Sequence, residues 1–329
     1  MQKPPNKVLI VGKLPLPIGG VRIHVQRLIE ELEKRGYANF KFYDLEKNPF
    51  YKILPVVIKY PVVHLHTSNP WFQLLIAIYS RLTRTRLIIT YHSNWGRYGT
   101  LRNAAETLSA FFARTPIVQN NESLLRAKKM NRHAIMMSTF IPPVHLTPLR
   151  NALLQQIHLL QNQYSYLFCT NAWDIVFDKH GREVYGISDL IKSMDRCEQS
   201  VLIISDPSGH YQKFMKEQCG VKKDKVFWIS EPHDFWHVLA FSHAFIRNTT
   251  TDATSISIQE ALCLHKVVFA SATVSRAPEC MVYQDVSAVH FEAELEKILM
   301  RRIPQRKNRC AASTVDQLLS LYQDQLGRL

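Results

Sequence analysis

Two trains of short, uninterrupted apolar runs, each alternating with amphipathic segments, constrain this chain more than any other feature. In the first train, Lys7-Val8-Leu9-Ile10-Val11 has the length and β-branched character of a buried strand. Val21, Val25, Leu28 and Leu32 follow at i, i+4, i+7 and i+11, one face of a helix that Gly36 is placed to end. Phe40–Tyr43 and Val62–His66 read as strands, Trp71–Leu82 as a helix, Arg86–Thr90 as a strand, and Ile117-Val118 as a further short strand. Runs without polar alternation belong to strands covered on both faces, and their alternation with helices means a parallel sheet.

The pattern breaks at Phe140-Ile141-Pro142-Pro143-Val144 and Pro148, which continue neither a helix nor a central strand. It restarts with a helix near 150–161 and the strand Ser165–Cys169. A helix over Ile187–Met194 and strands at Val201–Ile204, Val226–Trp228, Ala244–Ile246 and Val267–Ala270 follow, and a helix near 313–326 closes the chain. With 329 residues there is material for two domains. The expected fold class is α/β: two tandem doubly wound Rossmann-like domains facing a central cleft. Residues 1–145 form the first and 146–310 the second, and a C-terminal helix in 311–329 packs back on the first.

Charge separates the halves. Residues 1–150 carry 22 Lys and Arg against 7 Asp and Glu, a net +15, and the remainder is close to neutral at −1. Such asymmetry points to an anionic surface as partner of the first half. No nucleic-acid motif accompanies it, so no nucleic-acid partner is expected. No apolar stretch approaches the roughly 20 residues of a membrane-spanning helix. The apolar run near the N-terminus is too brief for a secretory signal. No two of the six cysteines lie within four residues of each other, so no zinc-type cysteine pair is visible, and free thiols in a cytoplasmic setting are expected.

Several common chemistries are absent. There is no Gly-x4-Gly-Lys-Ser/Thr, no Gly-x-Gly-x2-Gly after the first strand, no Asp-x-Asp, no His-Glu-x2-His and no Gly-x-Ser-x-Gly. Two other segments carry ligand-binding character. The first strand leads through Pro15 and Pro17 to Gly19-Gly20 and His24, glycines at a helix entrance where backbone can approach a ligand. The strand Ala244–Ile246 runs into Arg247-Asn248-Thr249-Thr250-Thr251-Asp252 and then a helix that Thr254 or Ser255 can cap. The exposed amides of that helix suit a diphosphate, and Glu260, about one and a half turns in, suits a pair of hydroxyls such as those of a ribose.

The segment from Phe245 to Tyr283 resembles the C-terminal signature of retaining GT-B glycosyltransferases, the large family called glycosyl transferases group 1 (family 4). The resemblance rests on Asp252, seven residues, Glu260-Ala261, and the buried strand Lys266-Val267-Val268. Arg276-Ala277-Pro278-Glu279 resembles a segment of a bacterial surface-polysaccharide branch, and Gly19-Gly20-x3-His24 and the hinge prolines agree with it.

The resemblance implies transfer of a sugar from a nucleotide-sugar donor, with retention and of hexosyltransferase type, to a lipid-linked or glycan acceptor. The donor is a substrate, so no cofactor and no required metal are expected. Carried over, Glu260 binds the ribose and Asp252 contacts the donor sugar. The amides near Ser255 and Ser257 face the diphosphate, Gly19-Gly20 closes on the donor, and His92 touches the sugar. The family's Arg-x4-Lys-Gly is missing. Tyr185-Gly186 stands where Lys-Gly belongs, Lys179 and Arg182 lie nearby at shifted positions as donor-binding candidates, and Arg247 and Arg276 are the substitute cations. His265 and Cys280 replace two family glycines. A basic first domain implies peripheral attachment to the anionic inner face of the cell membrane. The missing basic pair leaves an alternative: a catalytically impaired homologue acting as a binding or scaffold subunit.

Overall fold

The computed structural model describes residues 7–15, 19–178, 180–219, 225–252, 254–301 and 314–327. The chain divides into two compact units, Met1–Val144 with Ala311–Leu329, and His145–Cys310.

The first unit runs β1 (Val8–Gly12), α1 (Gly20–Lys34), β2 (Phe40–Asp44), α2 (Leu54–Val57), β3 (Val62–His66), α3 (Pro70–Leu82), β4 (Arg86–Thr90), α4 (Thr100–Phe112), β5 (Thr115–Val118), α5 (Asn121–Met130) and β6 (Ile135–Met136). Its strands pair in parallel in the order β2-β1-β3-β4-β5-β6. Successive residues of β1 serve opposite faces, as the two-residue period of a strand requires. Leu9 and Val11 join one core with Val63, Leu65, Leu87 and Ile89, and Val8 and Ile10 join the other with Leu28 and Leu32 of α1. This double burial is why the strands read as unbroken apolar runs.

Local signals set the helix ends. Asn69 caps α3 by accepting from the Trp71 and Phe72 amides at 3.1 and 3.3 Å, ahead of Pro70 in the first turn. Gly36 follows α1 with φ +65°, the left-handed position that glycine occupies at little cost. A Cβ on Gly12 would lie 3.0 Å from a Val25 methyl, so glycine there lets α1 settle close on β1.

The second unit runs α6 (Asn151–Gln163), β7 (Tyr166–Asn171), α7 (Ile187–Met194), β8 (Ser200–Ser205), α8 (His210–Cys219), β9 (Val226–Ile229), α9 (Phe235–Phe241), β10 (Ala244–Arg247), α10 (Ile256–Cys263), β11 (Val267–Ser271), β12 (Met281–Tyr283) and α11 (Phe291–Met300). The sheet is again parallel, in the order β12-β11-β10-β7-β8-β9. Phe168, Leu202, Ile204, Ile246 and Phe269 fill one face with α7 and α11. Leu167, Cys169, Ile203, Phe245 and Val268 fill the other with α6, α9 and α10.

The last helix, α12 (Thr314–Gly327), packs in the first unit, where Val315, Leu318 and Tyr322 complete the core beneath Val8, Ile10 and Ile88. Arg86 donates to the Gln325 carbonyl, so it serves this helix and leaves the exposed basic group of Arg81 and Arg84. Cys169, Cys197 and Cys280 are free and buried. The expectation of free thiols fails at Cys263, which is disulfide-bonded. Among the described residues, no helix is long and apolar enough to cross a membrane.

Candidate functional site

In an open parallel sheet, ligands bind beyond the carboxyl ends of the strands, where the strand order reverses. In the second unit that point lies between β7 and β10. The residues leaving these two strands are cross-linked. Asn171, at the end of β7, donates through Nδ2 to Ser257 Oγ at 2.9 Å, and its side-chain oxygen lies 3.3 Å from an Arg247 nitrogen.

Arg247 ends β10. Its Nε and one terminal nitrogen donate to the two Asp252 carboxylate oxygens at 3.0 and 3.3 Å, and its guanidinium carbon sits 5.1 Å from the Tyr185 ring centre. Arg276 donates to the same carboxylate at 2.9 Å and to Thr249 Oγ1 and the Ser271 carbonyl at 3.1 and 2.9 Å. The Asp252 and Arg276 side chains are only 9% and 2% exposed. Burial opposes charge on Asp252, but the Arg247 charge, with its hydrogen bonds and those of Arg276, holds the carboxyl below its ordinary range.

The loop that carries Asp252 feeds α10. Ser255 caps this helix by accepting from the Ile258 amide at 3.4 Å, and Ser257 and Glu260 are buried within it. The Val184–Gly186 backbone docks on this loop. Thr250 N donates to the Val184 carbonyl at 2.9 Å, and Asn248 donates to the Gly186 carbonyl at 2.9 Å. Gly186 has φ +52°, and a Cβ there would lie 2.5 Å from Asn248 Nδ2.

The other predicted cations fall differently. Arg182 is exposed and pairs with Asp178 at 2.8 Å, beside the isolated bridge Phe177–Glu183. Lys179 lies outside the described residues.

In the first unit the order reverses between β1 and β3. A cavity of about 940 Å³ opens there, lined by Lys13 and Arg22 on one side, Glu46 and Phe50 after β2, and His66 through Phe72 after β3. Gly19 precedes α1 with φ −173° and open space where a Cβ would stand, so neither its backbone nor its packing requires glycine.

His92, past the end of β4, does not stand alone. Its Nε2 is 3.2 Å from His66 Nδ1, and its ring centre is 5.2 Å from that of His24 in α1. His24 Nδ1 donates to the Thr139 carbonyl at 2.6 Å. The His64 ring centre lies 4.0 Å from that of His66 with the planes tilted by 46°, and His64 is engaged at both nitrogens, by Tyr322 at 2.6 Å and Thr90 at 2.8 Å. Burial pushes these imidazoles down, His24 to about 4 and His64 to about 3, so they are neutral at pH 7.

Sequence reasoning singles out His24 and His92 but misses His66 as their neighbour. The signal available is His64-x-His66 at one strand end with His92 beyond the next.

The helix α3 leaves an apolar stripe in solvent. Trp71 is 51% exposed and Leu82 76%, with Leu75 and Ile78 between them at helical spacing. Its packing partner α4 exposes Leu101, Leu108 and Phe111, and Arg81, Arg84, Arg102 and Arg114 surround the patch in sequence.

No protein-family model and no curated protein matches the chain. Solved structures do, and they define the class: the two-unit Rossmann-like architecture is the GT-B fold. The chain is similar to sucrose-phosphate synthase from Thermosynechococcus elongatus, with TM-score 0.68 and 14% identity over 98% of this chain and 100% of the other. It is similar to HepE of Anabaena in complex with UDP-glucose, with TM-score 0.65 and 12% identity over 97% and 95%. WaaG, a glycosyltransferase involved in lipopolysaccharide biosynthesis, gives TM-score 0.62 and 13% identity over 96% and 99%. At these identities the likeness is one of fold.

Proposed function

We propose that the chain is a retaining glycosyltransferase that moves a hexose from a nucleotide-sugar to a lipid-linked or glycan acceptor in bacterial surface-polysaccharide synthesis. One observation carries this reading: the β7–β10 switch point holds the amino end of α10, the buried Glu260 and the Arg247–Asp252–Arg276 triad together. Helix amides and guanidinium groups suit a diphosphate, and a buried carboxylate suits vicinal hydroxyls. The GT-B fold shared with HepE, crystallised with UDP-glucose, supports a donor of this class.

In this reading Glu260 holds the nucleoside and Asp252 orients the donor sugar. The amides of Ser255 and Ser257, with Arg247 and Arg276, stabilise the diphosphate as it leaves. Gly19-Gly20 approaches the donor closely, since nothing local requires glycine at position 19. His92 contacts the sugar. The transfer itself uses no cofactor and assigns no step to a metal.

The exposed stripe of α3 beside arginines supports cytoplasmic placement on the inner membrane face, where a lipid-linked acceptor is held. Apolar side chains enter the interface while basic groups meet anionic lipid.

The test is transfer from a panel of nucleotide-sugars to polyprenyl-diphosphate-linked saccharides, with the anomer of the product read by NMR. One nucleotide-sugar is expected to give a product of retained configuration. A second reading, a binding subunit without turnover, is favoured by the engagement of Arg182 with Asp178 and of Arg247 with Asp252. Nucleotide binding without any transfer selects that reading.

A further inference from the structure

We propose that His24, His66 and His92 form a binding site for one divalent transition-metal ion of the zinc type, with a coordination position left open.

The three residues come from α1, the end of β3 and the segment after β4, and the neighbouring positions of β1, β3 and β4 in the sheet bring them together. One ring nitrogen from each lies within 4.8 Å of one from each of the others. Among the described residues, no other cluster of three His, Cys, Asp or Glu side chains has this spacing. Two nitrogens bound to one tetrahedral zinc at about 2.05 Å stand roughly 3.4 Å apart. His66 Nδ1 and His92 Nε2 are already at 3.2 Å.

One unsatisfied atom points to a ligand. His24 and His66 are 2% and 1% exposed, and His24 Nε2 has no hydrogen-bond partner among the described residues. A buried nitrogen left unpaired destabilises the fold, and a metal–nitrogen bond removes that penalty. The His24 tautomer is fixed for ligation. With Nδ1–H donated to the Thr139 carbonyl, Nε2 carries the lone pair, the outer-shell arrangement common to metal-bound histidine. His64 is excluded, because Tyr322 and Thr90 occupy both of its nitrogens.

Three neutral imidazoles suit zinc, and a set of three protein ligands leaves a fourth position for water or a hydroxyl group. His92 is half-buried, which gives an entry path, and His66 also lines the cavity at the β1–β3 switch point. The site does not depend on the sugar-transfer reading.

The experiment is zinc titration of tag-free, chelator-stripped protein against a chromophoric competitor, with cobalt(II) absorption as a second readout. We expect one zinc per chain, visible cobalt bands of tetrahedral type, and at least tenfold weaker zinc binding in H24Q, H66Q and H92Q. H158Q, at an exposed histidine of the second unit, keeps wild-type affinity. Far-UV circular dichroism checks folding; should the buried variants not fold, H92Q decides. No stoichiometric zinc, or equal affinity in H92Q and wild type, overturns the proposal.

Discussion

Arg247 and Asp252 close a two-pronged ion pair at 3.0 and 3.3 Å across the loop between β10 and α10, and Arg276 meets the same carboxylate from the loop after β11. The four residues between them have no regular structure, and the pair adds to the contacts of Asn248 and Thr250 with the Val184–Gly186 backbone in holding the loop. It also sets what each group offers a ligand. Arg247 presents its guanidinium in a fixed plane over Tyr185, and Asp252 stays ionised although buried.

Breaking the pair is expected to cost stability as well as turnover. Arg247→Ala leaves Asp252 held by Arg276, so the loss falls near or below the 3–5 kcal/mol of a fully broken buried pair, at about 2–3 kcal/mol. A double-mutant cycle with Asp252→Asn in urea denaturation measures the coupling. Additive effects of the two substitutions would contradict the pairing.

His265 stands where the resembling family has glycine, and its φ is +56°. It ends α10, with its amide on the Leu262 carbonyl and the Lys266 amide on that of Ala261. A side chain in the left-handed region costs about 1 kcal/mol, so His265→Gly is expected to stabilise the protein by roughly that amount. Chemical denaturation reads it; a destabilised variant would mean that the imidazole makes a stronger contact than the strain it carries.

Glu106 is buried in α4, where it accepts from the Gly96 amide at 3.3 Å. Burial lifts its pKa from 4.5 to about 7 against the pull of that hydrogen bond and of Arg97. A carboxyl raised in the folded state favours folding fully below pH 4.5, and the advantage is lost as pH rises through 7. The span corresponds to at most about 3 kcal/mol. Glu106→Gln is therefore expected to gain stability relative to wild type between pH 5 and 8. A wild-type-minus-variant difference that does not change with pH would refute this assignment.

Membrane attachment through α3 has its own expected pattern. Binding to vesicles needs anionic lipid, falls with salt, and drops when Trp71, Leu75 and Ile78 are replaced by serine. Each basic residue near the surface adds about 1 kcal/mol, and a Debye length of about 8 Å at physiological salt makes that part screenable. Equal sedimentation with neutral vesicles would remove the electrostatic part, and unchanged binding of the serine variant would remove the apolar part.

Most strands and long helices were legible because a doubly covered parallel sheet imposes unbroken apolar runs, as in Val8–Val11 and Val201–Ile204. What escaped had weak or short signals. Strand β12 exposes Met281 and Val282, β6 has two residues, and α8 and α9 lack a sustained helical apolar period. Ser255 was legible as a cap because its chemistry is local. The Arg247–Asp252 pair and the His24–His66–His92 cluster were not, since loop shape and strand order create them, and no period in the sequence records either.

Binding of a nucleotide-sugar by the second unit through the amino end of α10 and Glu260 is tested by calorimetric titration of UDP, GDP, ADP and CMP into wild type and Glu260→Ala. Loss of charge-assisted hydrogen bonds to the ribose is expected to cost roughly 2–4 kcal/mol, about 30- to 1000-fold in affinity. One nucleotide is expected to bind selectively, and Glu260→Ala, still folded by circular dichroism, to lose it by that factor. Binding of none of the four, or equal binding by the variant, would contradict this mode of binding.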